Sequence, residues 1–385
     1  MTLDAPASLA FVAPDEYPMI REAADRLLDD HAAAAVEDWP AIHAALAEAG
    51  LLAAPMRDVD GAMDDARVVA LVAESIGERG LVSPFVVSCA VAGRALERAG
   101  WRAISDAGAR IARAELIATV AWYEDDGLLL GAAPSARLRH VADGLVLDAR
   151  KRAVPFGAQA GLLLVPARLD AESVLLAIEV DRGGAAARLA KGGIGIAPCE
   201  TIDGQPAAEI RFDGLAVDAG AILARGKEAD RLLAWMRDAW IAANCADALG
   251  AMRRLVSMTG EYLGMRQQFG TPIGQNQALR HRFVELHLAI REVEATCEYA
   301  AVSIDRVDAA AQRARAVDVA HHAAARAAWR IAQECVQMHG GIGMAAETPV
   351  GGYFKRLLGF ALRCGDEDVA LARLAAFPTA AGSAA

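Results

Sequence analysis

The chain has 385 residues, enough for two or three structural units and a core able to enclose a sizeable ligand. Its 39 Lys and Arg are outnumbered by 50 Asp and Glu, and the net charge of -11 excludes the broad basic face that a nucleic-acid backbone requires. A composition 55% hydrophobic but only 5% aromatic, rich in Ala and Leu, suits long and closely packed helices.

From Pro14 to about Gly100 apolar residues recur at helical spacing, as in Ile20, Ala23, Ala24 and Leu27, and again from Trp39 through Leu46 to Leu51. This predicts a helical N-terminal domain over residues 1–112. Within it, Ala41–Gly50 and Val68–Gly77 are amphipathic helices that each end on a glycine. Over residues 113–226 the pattern shifts to short apolar runs between turn residues: Glu115–Trp122, Gly144–Leu147, Gly161–Val165 and Ser173–Val180. These predict a middle β domain, with turns at Asp143-Gly144 and at Gly192, Gly193 and Gly195. Helical periodicity returns over residues 227–385, in Glu228–Met265, Gln275–Asp305, Ala309–His339 and Gly351–Leu362, which predict a four-helix bundle. The Ala- and Gly-rich run Trp240–Gly250 permits close helix approach and reads as packing. The fold class is therefore α+β and mostly helical.

The apolar runs are short or broken by charge, and Met1–Phe11 lacks the basic start and hydrophobic stretch of a secretory signal, so a soluble, cytoplasmic protein is expected. Six cysteines, at 89, 199, 245, 297, 335 and 364, form no C-x-x-C pair and are expected to be reduced. His281, His287, His321 and His322 stand at no metal-binding spacing with carboxylate or Cys, so no metal is expected. No Gly-x-Ser-x-Gly elbow is present.

Two segments carry more information. Arg266-Gln267-Gln268-Phe269-Gly270-Thr271-Pro272-Ile273-Gly274, followed by Gln277, leaves one predicted helix, turns and enters the next. Such a junction places a guanidinium, side-chain amides and free backbone N–H groups on one spot, as a pyrophosphate needs; an ordinary helical hairpin is the plainer alternative. Gln337-Met338-His339-Gly340-Gly341-Ile342-Gly343 supplies glycines at which backbone can approach a ligand.

Together, in this order and about 70 residues apart, these segments closely resemble the C-terminal domain of acyl-CoA dehydrogenases. The order of helical domain, β domain and bundle is also that family's, and Trp39–Leu52 and Asp60-Gly61 with Glu74 look like its first domain. The resemblance implies that Arg266, Gln268, Phe269 and Gln277, with Gln337, Gly340 and Gly341, hold the pyrophosphate and adenine end of an FAD bound mainly by a neighbouring subunit. It also implies oligomerisation, an acyl-CoA substrate and an electron-transferring flavoprotein as acceptor.

Departures from the family fall on one side of the site. Its chemistry needs a carboxylate to remove the α-proton of the thioester while hydride leaves the β-carbon. An ungapped count places Cys364 at that position, whereas allowing two inserted residues places Asp366 there, with Glu367 beside it. Asp366 is the preferred candidate, although an acidic run before a helix is also an ordinary N-cap. The base position used by a minority of members falls on Trp240. The family's Thr-Glu-Pro-x-x-Gly-Ser-Asp and Trp-x-Thr stretches are replaced by Thr119–Gly127 and Lys151–Phe156. The groups that reach a neighbour's FAD thus remain, while those that cradle a chain's own flavin are lost. This implies a heteromeric enzyme of α2β2 form, in which a sister subunit supplies the missing half, as in members acting on steroid side chains or dicarboxylic acyl chains. A catalytic homotetramer, a non-catalytic structural partner, and a flavin monooxygenase or nitroalkane oxidase on the same fold are the competing readings.

Overall fold

The computed structural model describes residues 16–31, 36–100, 106–124, 130, 133–142, 144–180, 193–307, 309–345 and 347–377. The N-terminal periodicity becomes α1 (Glu16–Asp29), α2 (Trp39–Glu48) and α3 (Ala66–Glu78), then a π-helical stretch over Val86–Gly93 that runs into α4 (Arg94–Arg98), and α5 (Ala107–Ala112). Asp65 starts α3 by accepting the Arg67 N–H, satisfying one of the donors a helix start leaves free. The glycine expected to stop α3 does not: the helix runs through Gly77 to Glu78, and the chain reverses at Gly80, where φ is +67°. Gly77 serves packing instead. A Cβ there would lie 2.0 Å from the Asp247 carbonyl oxygen, and a Cβ on Gly250 would lie 2.0 Å from the Glu74 carbonyl oxygen.

Eight strands follow: β1 (Ala118–Val120), β2 (Arg137–Val141), β3 (Gly144–Pro155), β4 (Leu162–Leu169), β5 (Glu172–Glu179), β6 (Gly193–Glu200), β7 (Pro206–Val217) and β8 (Ile222–Arg225). They form one sheet in the order β6-β7-β3-β2-β4-β5-β8, with β1 paired parallel to β4. The turn expected at Gly193 and Gly195 is a strand, because β6 pairs with β7 from Gly193 opposite Asp213 to Glu200 opposite Pro206; Gly192 and Asp143 lie outside the described residues. Strands β4 and β5 are almost wholly buried, and their continuous Leu, Val and Ala runs form the core of the sheet.

The last third is α6 (Lys227–Met265), a tight hairpin of β9 (Gln267–Gln268) and β10 (Thr271–Pro272), then α7 (Gln277–Arg306), α8 (Ala310–His339), α9 (Val350–Cys364) and α10 (Glu367–Ala375). Helices α6 to α9 are the expected four-helix bundle, with α10 packed on α8. Helix α6 is its axis, touching α3, α7, α8, α9 and the sheet. The Ala-rich run around Gly250 lets α3 lie on α6 with backbones in contact. No described helix is long and apolar enough to cross a membrane.

Gly77→Ala should drive a methyl group into the Asp247 carbonyl and force α3 off α6. Equilibrium denaturation in urea is expected to show a loss of about 1–3 kcal/mol, the usual range for overpacking. The same change at Gly351, where a Cβ would meet nothing within 4 Å, should leave stability unchanged.

Candidate functional site

The bundle end formed by the α6–α7 junction is built from backbone conformation upward. The Tyr262 carbonyl accepts the Arg266 N–H at 2.8 Å and ends α6, and the Ile273 N–H donates to the Arg266 carbonyl at 2.8 Å. Between them Gln268 pairs with Thr271, leaving Phe269 and Gly270 as a two-residue loop. Both loop residues have positive φ, +52° and +81°, as a hairpin with this handedness of twist requires. Gly270 adopts that backbone freely, but for Phe269 it costs about 1–2 kcal/mol. The Phe269 ring is also 104% exposed, so no packing among the described residues offsets the strain. Among the described residues the exposed Arg266 side chain has no hydrogen-bond or ion-pair partner, while Gln268 Nε2 donates to the Gln267 carbonyl at 2.8 Å. Asn276 caps α7 through the Ala278 N–H at 3.0 Å, which places Gln277 at the helix start, exposed.

The second motif lies at the same end. Helix α8 stops at Gly340, where φ is +65°, and Gly340 and Gly341 are exposed, with nothing within 4 Å of where a Cβ would sit. Gln337 is exposed one turn earlier. The two motifs are joined by the Tyr262 and His339 rings, stacked at 4.5 Å with 22° between their planes. Met265, Ile342 and Met344 add large apolar side chains to the same exposed end. A surface with an unpaired guanidinium, free amides, bare glycine backbone and a strained exposed aromatic ring fits the pyrophosphate and adenine end of a dinucleotide.

The interior between sheet and bundle is different. Asp247 on α6 and Arg356 on α9, both buried, form a two-point ion pair (2.9 and 2.5 Å), and Arg356 Nη1 also donates to the Leu81 carbonyl at 2.8 Å. Two turns further along α9, Arg363 Nη1 donates to Asp203 at 2.6 Å and Nε to Asn244 Oδ1 at 3.3 Å. Burial alone would raise the Asp203 carboxyl, but Arg363 and Thr201 outweigh it and hold it below the usual carboxylate range. Tyr123, from the stretch that replaces the first missing motif, donates its hydroxyl to the Arg363 carbonyl. Lys151, from the second, is fully buried against Glu124 at 2.6 Å. Phe156 packs edge-on against Trp39 with ring centres 5.2 Å apart. One cavity here, lined by Ser83, Phe156, Trp240, Asn244, Asp247 and Arg356 among others, is about 30 Å³. That is room for about two waters and not for a fused three-ring system.

None of the three candidate bases lines this cavity. Asp366 is exposed at the N-cap of α10, where Oδ1 accepts the Val369 N–H at 3.0 Å; Glu367 is exposed in the first turn. Cys364 is fully buried, and burial pushes its thiol up to about 12, so it carries no thiolate at neutral pH. The adjoining Gly365 carbonyl accepts His321 Nε2–H at 2.9 Å, and Arg373 donates to His321 Nδ1 at 3.5 Å, so the neutral ring satisfies both contacts. The carboxylate that does face the cavity, Asp247, is neutralised by Arg356. Sequence reasoning did not single out Asp203, Asp247, Arg356 or Arg363. The one available signal was the seven-residue spacing of the two arginines, which puts both on one face of a helix.

Residues 233–377 match the family described as acyl-CoA dehydrogenase, C-terminal domain. The chain is 29% identical to acyl-CoA dehydrogenase FadE27 of Mycobacterium tuberculosis over 295 residues, 75% of this chain and 74% of that protein. It is 37% identical to acyl-CoA dehydrogenase IpdE2 of the same organism over 116 residues, 30% of this chain and 34% of that protein. Among solved structures it resembles a chain of the ChsE4-ChsE5 complex from Mycobacterium tuberculosis, with a TM-score of 0.82 at 21% identity, covering 96% of this chain and 100% of that one. The fold defines the class: a three-part protein of N-terminal helices, a central sheet and a C-terminal helical bundle. Residues 233–377 carry the acyl-CoA dehydrogenase C-terminal domain, and the chain as a whole is similar to acyl-CoA dehydrogenases.

Asp247→Ala should leave Arg356 as an unpaired buried charge and cost about 3–5 kcal/mol in urea denaturation, whereas replacing both partners by Leu and Met should recover much of that loss. Burial depresses the His43 and His321 imidazoles from 6.5 to about 4. Between those pH values the unfolded chain takes up protons that the folded chain refuses. Stability is therefore complete above about 6.5 and falls as pH drops toward about 4. His321→Gln should flatten that slope in melting temperatures recorded across the window.

Proposed function

We propose that this chain is the partner subunit of a heteromeric, FAD-dependent acyl-CoA dehydrogenase of α2β2 form, and that it completes a sister subunit's FAD site instead of running the reaction in its own interior. The contrast between its two candidate sites carries this reading. The outward bundle end keeps an unpaired Arg266, an exposed Phe269 at φ +52° and bare backbone at Gly340 and Gly341. Among the described residues the interior holds two buried Arg–Asp pairs with Tyr123, Phe156 and Trp240, and the carboxylate that lines its small cavity, Asp247, is tied to an arginine.

In this reading Arg266 and the Gly340–Gly341 backbone hold the pyrophosphate, while Gln268, Phe269, Gln277 and Gln337 meet the adenine end. Bound there, FAD supplies the hydride acceptor for α,β-dehydrogenation of an acyl-CoA thioester. This chain contributes a cation, amide donors and a rigid bundle end. The sister subunit supplies the base, the acyl pocket and the groups around the flavin ring. Passage of electrons to an electron-transferring flavoprotein, and a cytoplasmic location, belong to the same proposal. The ChsE4-ChsE5 complex, one chain of which has this fold, supports the two-chain assembly.

The visible spectrum tests it. Purified alone the chain should be colourless, and co-expressed with a neighbouring acyl-CoA dehydrogenase subunit it should form a yellow complex. In that complex Arg266→Ala should strip FAD, while Asp366→Asn should leave turnover unchanged within about twofold, because an exposed cap lies outside the reacting site. A chain that is yellow on its own, with one FAD per subunit and full turnover, would overturn the proposal.

A further inference from the structure

The two halves of the outward surface lie at the ends of different helices, and no shared strand ladder ties them together. The small sheet at this end contains only β9 and β10, and beyond Gly340 the chain runs on as a 3-10 turn over Gly340–Met344. Beyond the packing of α8 on α6 and α7, the Tyr262–His339 stack bridges them directly beside both motifs, and its 4.5 Å separation and 22° tilt fall in the range where offset aromatic faces attract.

Each ring is held to its own half. Tyr262 lies four residues before Arg266, and its carbonyl accepts the Arg266 N–H. His339 immediately precedes Gly340. Its Nδ1–H donates to the Cys335 carbonyl at 2.8 Å, which fixes the ring's tilt, and its Cβ is backed by Gly343, where an added Cβ would come within 2.9 Å. The Tyr262 hydroxyl has no partner among the described residues, so the ring face is the part the fold uses. A guanidinium on one half and bare glycine backbone on the other can grip one pyrophosphate only if their separation is constant, because each misplaced contact is lost steeply with distance.

We infer that Tyr262 and His339 are a positioning pair that fixes the spacing of the two halves and so sets the affinity of the assembled site for FAD. This rests on the cross-subunit reading above. The test uses the purified two-subunit complex, stripped of flavin and titrated with FAD by flavin fluorescence, with melting temperature and gel filtration followed in parallel. Tyr262→Leu and His339→Leu should each weaken FAD binding about threefold to tenfold, the span expected for one lost aromatic pair. Assembly and melting temperature should be retained. Tyr262→Phe should bind as the unmodified complex does, and the double variant should be little worse than either single one, as for two residues acting through one contact. If Arg266→Ala weakens FAD while Tyr262→Leu does not, the positioning role is refuted and the cross-subunit reading stands. If neither weakens it, that reading fails and takes the inference with it. Weakening that only follows loss of folded protein would assign the pair to stability alone.

Discussion

Everything else in this molecule is arranged around the crossing of α3 and α6, where Gly77 and Gly250 let two helices meet backbone to backbone. Any side chain at either position would collide with a carbonyl oxygen, so the N-terminal helices are pinned at a fixed height on the long axis of the bundle. That height decides what faces what. It brings the Leu81 carbonyl within reach of the Arg356 guanidinium, which pairs with Asp247 across α6 and α9. Charges buried this deeply persist only when paired and hydrogen-bonded, and both arginines of α9 meet that condition.

Closure inside and openness outside are two aspects of one distribution of polar groups. In the interior each arginine has its carboxylate and the aromatic rings fill the volume. At the bundle end Arg266 has none among the described residues, and the exposed Phe269 ring is held in a strained backbone. A monomer has no use for that arrangement, since the strain at Phe269 and the exposure of Met265, Ile342 and Met344 both oppose it in water. A second chain bearing the rest of a dinucleotide site would give each of them a function.

The sequence was most readable where one physical signal dominated. The bundle helices were legible from periodicity, because each keeps one apolar face over eight or more turns in α7 and α8, and their ends fell within a few residues of those observed. The outward motif stood out through the spacing of Arg266, Phe269 and the glycines, but the left-handed backbone at Phe269 was not legible, since a bulky residue rarely adopts it. Strand lengths were less so: β3 runs to Pro155, well past the expected Leu147, since its outer half alternates with charged residues that pair across the sheet surface. Gly193 and Gly195 look like a turn in isolation and become a strand only because β7 is there to pair with. Asp366 illustrates the limit at the site itself, where an acidic residue before a helix is written the same way whether it takes a proton from a substrate or caps a helix end. The interior ion pairs were out of reach, because Asp247 and Arg356 stand 109 positions apart and no local pattern joins them.

The Asp247–Arg356 pair also acts as a ratchet. Reopening the interior one substitution at a time would first strand a charge in a dry core, so every single step toward a roomy pocket passes through a less stable protein. Both partners have to change together. A lineage or an engineer seeking to restore a second catalytic chamber in this chain therefore faces a stability barrier before any gain in chemistry, whereas changes at the solvent-facing end of the bundle can accumulate singly. An interior held in this way is easier to keep than to reopen.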